Sequence, residues 1–258
     1  MASRNEEREM RREERQRAEA EAGVKERRQR LVKLTSAAVF LAIIAVVVAV
    51  VISQSGSSSG GGTELKGVAT VNSQLKGLPQ NGPVIGDPNA KVTLIEYGDL
   101  QCTTCGFYAQ SVIPSLLSGP VRSGDAKIEF RPWSIIGPDS TPAAEGAYAA
   151  GEQGRFWSYI ELFYHNQGGE NSGYVTDDFM TAVAKDAGVA DIGRWNDDRS
   201  NPRWKRMIDQ HDQQANAFGF TGTPSFAITA GGPAKPVPQG SNGLSSLGQL
   251  EASIRQAG

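Results

Sequence analysis

The segment KVTLIEYGDLQCTTC (91–105) constrains the fold more than any other stretch of the chain. Residues 91–97 form a short apolar run ending at Gly98 and Asp99, the pattern of a buried strand. Asp99 reads as a turn or capping residue. Cys102 falls where the strand gives way to a helix, and Cys105 follows one turn later on the same face. They are the only two cysteines among 258 residues. Side chains at this spacing lie about 5–6 Å apart at Cβ, so the first turn must tighten slightly to close a disulfide. The amides and macrodipole of a helix start stabilise a thiolate and lower its pKa.

Three chemistries use such a pair: a structural staple, half of a zinc site, or a redox couple. A staple across so short a loop gains on the order of 2 kcal/mol in the chain-entropy model, less than longer loops do. A structural zinc site takes four ligands. Only His165 and His211 add ring nitrogens, and neither is paired at ligand spacing. Each reads instead as a surface or helix-packing residue, and no metal is expected. The redox reading fits the position of Cys102 and needs no cofactor.

Upstream, residues 34–52 are nineteen in number and carry no charge. As a helix they extend about 28 Å, close to the hydrocarbon thickness of a bilayer. KERRQRLVK (25–33) precedes this run, and no Lys or Arg follows it until Lys66. The positive-inside rule puts the charged tail 1–33 in the cytoplasm and residues 53–258 outside. A cleaved signal peptide is the rival reading, with Ser53-Gln54-Ser55 as its small-x-small site. The long apolar run and long charged leader favour an uncleaved anchor. SQSGSSSGGG (53–62) is a flexible tether, and with the residues up to Lys66 it has a coil span of roughly 20 Å. Residues 53–82 together read as linker and lead-in, with an edge strand at 68–71.

Charge is unevenly spread. Residues 1–33 carry eleven Lys or Arg against eight Glu, a net of +3, whereas the rest of the chain carries a net of −5. A mildly acidic domain argues against nucleic acid as a partner. Apolar content of 39% and charged content of 21% are those of a globular chain.

From residue 83 the chain alternates. Residues 107–117 read as a helix, 127–135 as a strand, 141–215 as largely helical, 225–229 as a strand and 236–238 as a weaker one. Leu244, Leu247, Leu250 and Ile254 form the apolar face of a final helix. The run DDRSNPRWKR (197–206) reads as a solvated helix junction. The layout is α/β: β-α-β, a helical block, then β-β-α.

The stretch IGDPNAKVTLIEYGDLQCTTC (85–105) resembles the opening of DsbA-like thioredoxin-fold thiol:disulfide oxidoreductases of the bacterial cell envelope. FWSYIELFYHNQ (156–167) resembles their inserted helical segment, and GFTGTPSF (219–226) their loop before a cis-proline. The resemblance implies a thioredoxin fold over 83–258 with a helical insertion at about 139–212, preceded by the single transmembrane helix. It makes Cys102 the exposed nucleophile and Cys105 its buried partner. Thr223 and Pro224 become the cis-proline pair facing the disulfide, where the backbone of Thr223 can pair with a substrate strand. Glu96 resembles the buried acid that relays protons near Cys105; an ordinary strand-end carboxylate is the other reading.

Thr103 and Thr104 depart from the family pattern. Many relatives have proline after the first cysteine, and the strongest oxidants have histidine before the second. Without that cation, the thiolate draws on the Thr103 or Thr104 hydroxyls or amides, and its pKa falls less. Threonine before the cis-proline also resembles members that isomerise or reduce disulfides. The resemblance implies disulfide donation to exported proteins with cysteines, and reoxidation by a quinone-linked membrane oxidase. Reduction or isomerisation is the alternative direction, and a non-redox peptide-binding module the alternative class.

Overall fold

The computed structural model describes residues 65–258. The charged tail, the apolar run 34–52 and the Ser/Gly tether lie outside the described residues. Among the described residues, no helix is long and apolar enough to cross a membrane.

The elements are α1 (Val68–Leu75), β1 (Gln80–Asn81), β2 (Val84–Ile85), β3 (Val92–Gly98), α2 (Thr103–Ser111), α3 (Ile113–Leu116), β4 (Ala126–Pro132), α4 (Ser140–Gly151), α5 (Phe156–His165), α6 (Asp177–Asp186), α7 (Ile192–Arg199), α8 (Pro202–Ala217), β5 (Ser225–Thr229), β6 (Lys235–Pro236) and α9 (Leu247–Ala257). A π-helical turn, Leu117–Val121, follows α3. The sheet order is β1-β2-β4-β3-β5-β6. Strand β3 runs parallel to β4 and antiparallel to β5. The units β3-α2-β4 and β5-β6-α9 form a thioredoxin fold, with α4 to α8 inserted between them.

Strand β3 is buried because helices cover both faces of the sheet. Its alternation sends Val92 and Leu94 into one apolar cluster, with Ile128, Phe130 and Phe226. Ile95 and Tyr97 enter a second cluster with Trp133, Ala215, Phe220 and Ala227. Burying a side chain such as Phe130 contributes about 1.5–3 kcal/mol. Glu96 shares the Val92–Leu94 face by the same period of two. Its register partners are Phe130 on β4 and Phe226 on β5.

Several boundaries differ from expectation. Residues 68–71 belong to helix α1 rather than to an edge strand. Gly67 enters the helix at φ +84°, and Val71 and Leu75 place buried side chains on one face. The helix expected at 107–117 begins at Thr103 and breaks at Val112, because Pro114 cannot donate into a continuous helix. Strand β4 ends at Pro132, since the amides of Ile135 and Ile136 turn to the Asp99 carboxylate. The final helix starts at Leu247, set by a capping box between Ser246 and Gln249, which leaves Leu244 outside. His211 is a buried packing residue of α8.

Candidate active site

Cys102 is the N-cap of α2, and its sulfur accepts the amide of Cys105 at 3.4 Å. Both cysteines are free thiols; Cys105 is buried as expected, whereas Cys102, expected to be exposed, is buried too, with 4% of its surface accessible. The Cys102 thiol donates to the carbonyl oxygen of Thr223 at 3.3 Å. The Thr223–Pro224 peptide is cis, and the Thr223 hydroxyl is buried with no hydrogen-bond partner. The fold thus joins two segments more than 100 residues apart at one sulfur atom.

The two thiols ionise differently. A hydrogen bond from the Cys105 side chain is the largest influence on Cys102; burial opposes it, and the Thr223 side chain and the amides of Cys105 and Thr104 add to it. Together they lower the Cys102 pKa to about 6. Burial, followed by the neighbouring Cys102 and Glu96, pushes the Cys105 thiol well above its usual range. One sulfur is therefore an anion at neutral pH, while its partner keeps its proton.

Glu96 lies beneath this pair with 2% of its surface exposed. Burial, and then the charge of Cys102, raise its pKa to about 8. A second buried carboxyl, Glu161 on α5, is held well above the carboxylate range by burial and by Glu96, and its Oε2 has no partner. Tyr164, three residues further along α5, donates to the Asp99 carbonyl at 3.2 Å.

Asp99 shapes the turn before Cys102. Its carboxylate accepts the amides of Gln101 at 2.8 Å, Ile135 at 2.7 Å and Ile136 at 2.9 Å. The turn or capping role expected of it thus also ties the end of β4 to the cysteine loop.

The segment between α5 and α6 acts as a strap across the motif. Gln167 Nε2 donates to the carbonyls of Leu100 at 2.7 Å and Cys102 at 3.0 Å. Glu170 Oε1 accepts from the Thr103 amide at 2.9 Å and the Thr103 hydroxyl at 3.1 Å. The Asn171 amide donates to Gln101 Oε1 at 3.0 Å. Gly106 lets the strap approach, because a Cβ there would collide with Gln167 Oε1. The Thr103 hydroxyl is thereby committed to Glu170 and not to the sulfur; of the two threonines, the amide of Thr104 is the one that lowers the Cys102 pKa.

Cys102, Cys105, Glu96, Thr223 and Pro224 thus converge on one region of the fold, with Thr103 and Thr104 at its rim. Gln167, Glu170, Asn171 and Glu161 were not among the residues that the sequence singled out. FWSYIELFYHNQ contains two of them, but nothing local in it says that Gln167 grips a carbonyl 65 residues away. Among the described residues, no group of three or more His, Cys, Asp or Glu is placed to hold a metal ion.

Two thiols at a helix start, facing a cis-proline loop, form a candidate redox centre of thioredoxin type. Comparison with known proteins agrees. A thioredoxin family model matches residues 79–232, and the chain belongs to that family. The probable disulfide bond formation protein D of Bacillus cereus is 24% identical over 147 residues, covering 56% of this chain and 68% of that protein. The oxidised BdbD structure from Bacillus subtilis superposes with a TM-score of 0.58 at 18% identity, covering 70% of this chain and 96% of that one. A thioredoxin-like oxidoreductase from Silicibacter pomeroyi gives 0.54 at 26% identity, covering 72% and 96%. The DsbA-like resemblance drawn from residues 85–105, 156–167 and 219–226 holds.

Proposed function

We propose that this protein is a membrane-anchored, extracytoplasmic thiol:disulfide oxidoreductase that donates disulfides to exported proteins. The observation that carries this reading is the contrast between the two thiols. Cys102 is a stabilised thiolate with a pKa of about 6, and Cys105 is buried and protonated. A pair of this kind favours its reduced form, and so gives up its disulfide readily.

In the oxidised protein, a substrate thiolate attacks Cys102 Sγ. The bond to Cys105 breaks, and Cys105 takes a proton that Glu96 is placed to supply. A second substrate thiolate then attacks the substrate sulfur of the mixed disulfide. The substrate disulfide forms and Cys102 leaves as a thiolate, so two electrons have passed from substrate to pair. The substrate backbone pairs with Thr223 beside cis-Pro224, and Phe107, 63% exposed on α2, offers apolar contact near the rim. A quinone-linked membrane oxidase returns the pair to its disulfide.

The uncharged run 34–52, preceded by KERRQRLVK, supports a single-pass anchor with a cytoplasmic N-terminus. The catalytic domain, residues 83–258 with its helical insertion at about 139–212, then works where disulfides persist.

Measuring the reduction potential of the pair tests the direction. A donor lies well above thioredoxin's value of about −270 mV. A value near −270 mV assigns the protein to reduction or isomerisation, a direction to which the threonine before the cis-proline lends support. Cys105→Ser is expected to trap exported proteins on Cys102. If Cys102→Ser kept full cellular function, the site would instead be a peptide-binding groove.

A further inference from the structure

Thr103 is the first residue of α2, and its amide is among the donors that a helix start leaves unpaired. Glu170 takes that amide at 2.9 Å and the Thr103 hydroxyl at 3.1 Å with the same oxygen. Cys102 caps the same helix and accepts the Cys105 amide. A carboxylate and a thiolate therefore share one helix N-terminus. Glu170 arrives from 67 residues away, in a strap whose seat is fixed independently by Gln167 and Asn171. Its contact with Thr103 is thus not needed to close the loop.

We propose that Glu170 is a positioning residue of the redox pair, which by occupying the Thr103 amide and setting a negative charge beside Cys102 restrains thiolate formation and moderates the oxidising power of the protein. This rests on the redox reading above and assigns its tuning to a residue outside the motif. A like charge disfavours an anion, and the donor that Glu170 engages is no longer available to the sulfur. Cys105 on α2, Glu96 on β3 and Tyr164 on α5 are the ionisable groups that interact with Cys102 directly, whereas Glu170 reaches it through the Thr103 amide. Asp99, Asp139 and Glu170 share the surroundings of Tyr174 on the strap side. Glu170 is exposed, so solvent screens its charge and the effect is moderate: about threefold in the thiol–disulfide equilibrium. At 29.6 mV per tenfold this is ~14 mV.

The test uses the full chain and two readouts, the pH titration of the Cys102 thiolate by its ultraviolet absorbance and the reduction potential against glutathione. Glu170→Gln keeps an acceptor for Thr103 and removes the charge. Its thiolate midpoint is expected to fall by about half a pH unit and its potential to rise by ~14 mV. Added salt should move the wild-type midpoint towards that of the variant and leave the variant in place. A purely structural contact would move neither readout in the Gln variant. An unchanged midpoint in Glu170→Gln, or a wild-type midpoint indifferent to salt, overturns the proposal; the second measurement needs no variant to fold. Turnover of a dithiol peptide separates the two claims. If the wild type oxidises the peptide and the variant titrates like it, the tuning role fails and the redox reading stands. If the midpoint shifts as expected but no peptide is oxidised, the redox reading fails.

Discussion

The Cys102 sulfur sits 3.3 Å from the carbonyl oxygen of Thr223, across 121 positions of sequence. In the thiol form this is a hydrogen bond from S–H to oxygen. Once ionised, the sulfur has no proton to give that carbonyl. The Thr223 hydroxyl, otherwise unpartnered, is then free to donate to it. The residue before the cis-proline thus offers an acceptor to one protonation state and a donor to the other.

Thr223→Val removes the donor and keeps the shape. The pH profile of Cys102 alkylation, expected to centre at about 6 in the wild type, should move up by roughly half to one unit. A profile that coincides with the wild type removes Thr223 from the account of the thiolate.

Glu96 makes the reduced protein less stable as pH rises. The unfolded chain ionises this group near 4.5, whereas the folded protein holds its proton to about 8. Between these values the unfolded state binds fewer protons, so stability falls with increasing pH. Glu96→Gln should match the wild type near pH 4 and exceed it by about 3 kcal/mol at pH 7 in urea denaturation. Parallel stability curves for the two proteins across this window would contradict the buried, protonated state of Glu96.

His211 acts in the opposite sense. Burial, chiefly, lowers its pKa from 6.5 to about 4, although its Nδ1 meets Pro132 O at 3.2 Å and Tyr148 Oη at 3.4 Å. The unfolded chain takes up a proton below pH 6.5 that the folded protein refuses until about 4. Stability is therefore lost as pH falls through this window, by about 3 kcal/mol in total. His211→Gln should flatten the acid limb of the unfolding curve. An unaltered acid limb would show that this histidine titrates alike in both states.

Gly106→Ala drives a methyl group into the Gln167 amide. The strap must shift and give up bonds to Leu100 and Cys102, a cost of about 1–3 kcal/mol. The check is a double-mutant cycle: Gln167→Ala should cost less in the Gly106→Ala background than in the wild type. Simple additivity of the two changes would mean that they do not meet.

The sheet was legible where burial leaves a local mark. Residues 91–97 and 225–229 announce strands through short, largely apolar runs, and the structure places them within one residue of expectation. The start of α2 was legible from Cys102 at the strand-to-helix turn, although its first turn, TTCG, carries no apolar period; the structure makes the Cys102 sulfur its cap. Helix α1 was misread. Its valines suit a strand, and only packing in the tertiary fold makes them helical. Within the site, the cysteines were visible by residue type and spacing, and Thr223–Pro224 through the family resemblance of GFTGTPSF. Gln167 and Glu170 were not, because a contact between a polar side chain and a distant main chain leaves no periodic trace.

The strap that crosses the cysteine motif holds it largely by the main chain. The two carbonyl oxygens that Gln167 engages are present whatever side chains neighbour them. The dipeptide between the cysteines can therefore be exchanged while this clasp stays in place. Folding and electrochemistry are gripped at separate points, so selection or design can move the voltage of the pair along one scaffold without rebuilding it.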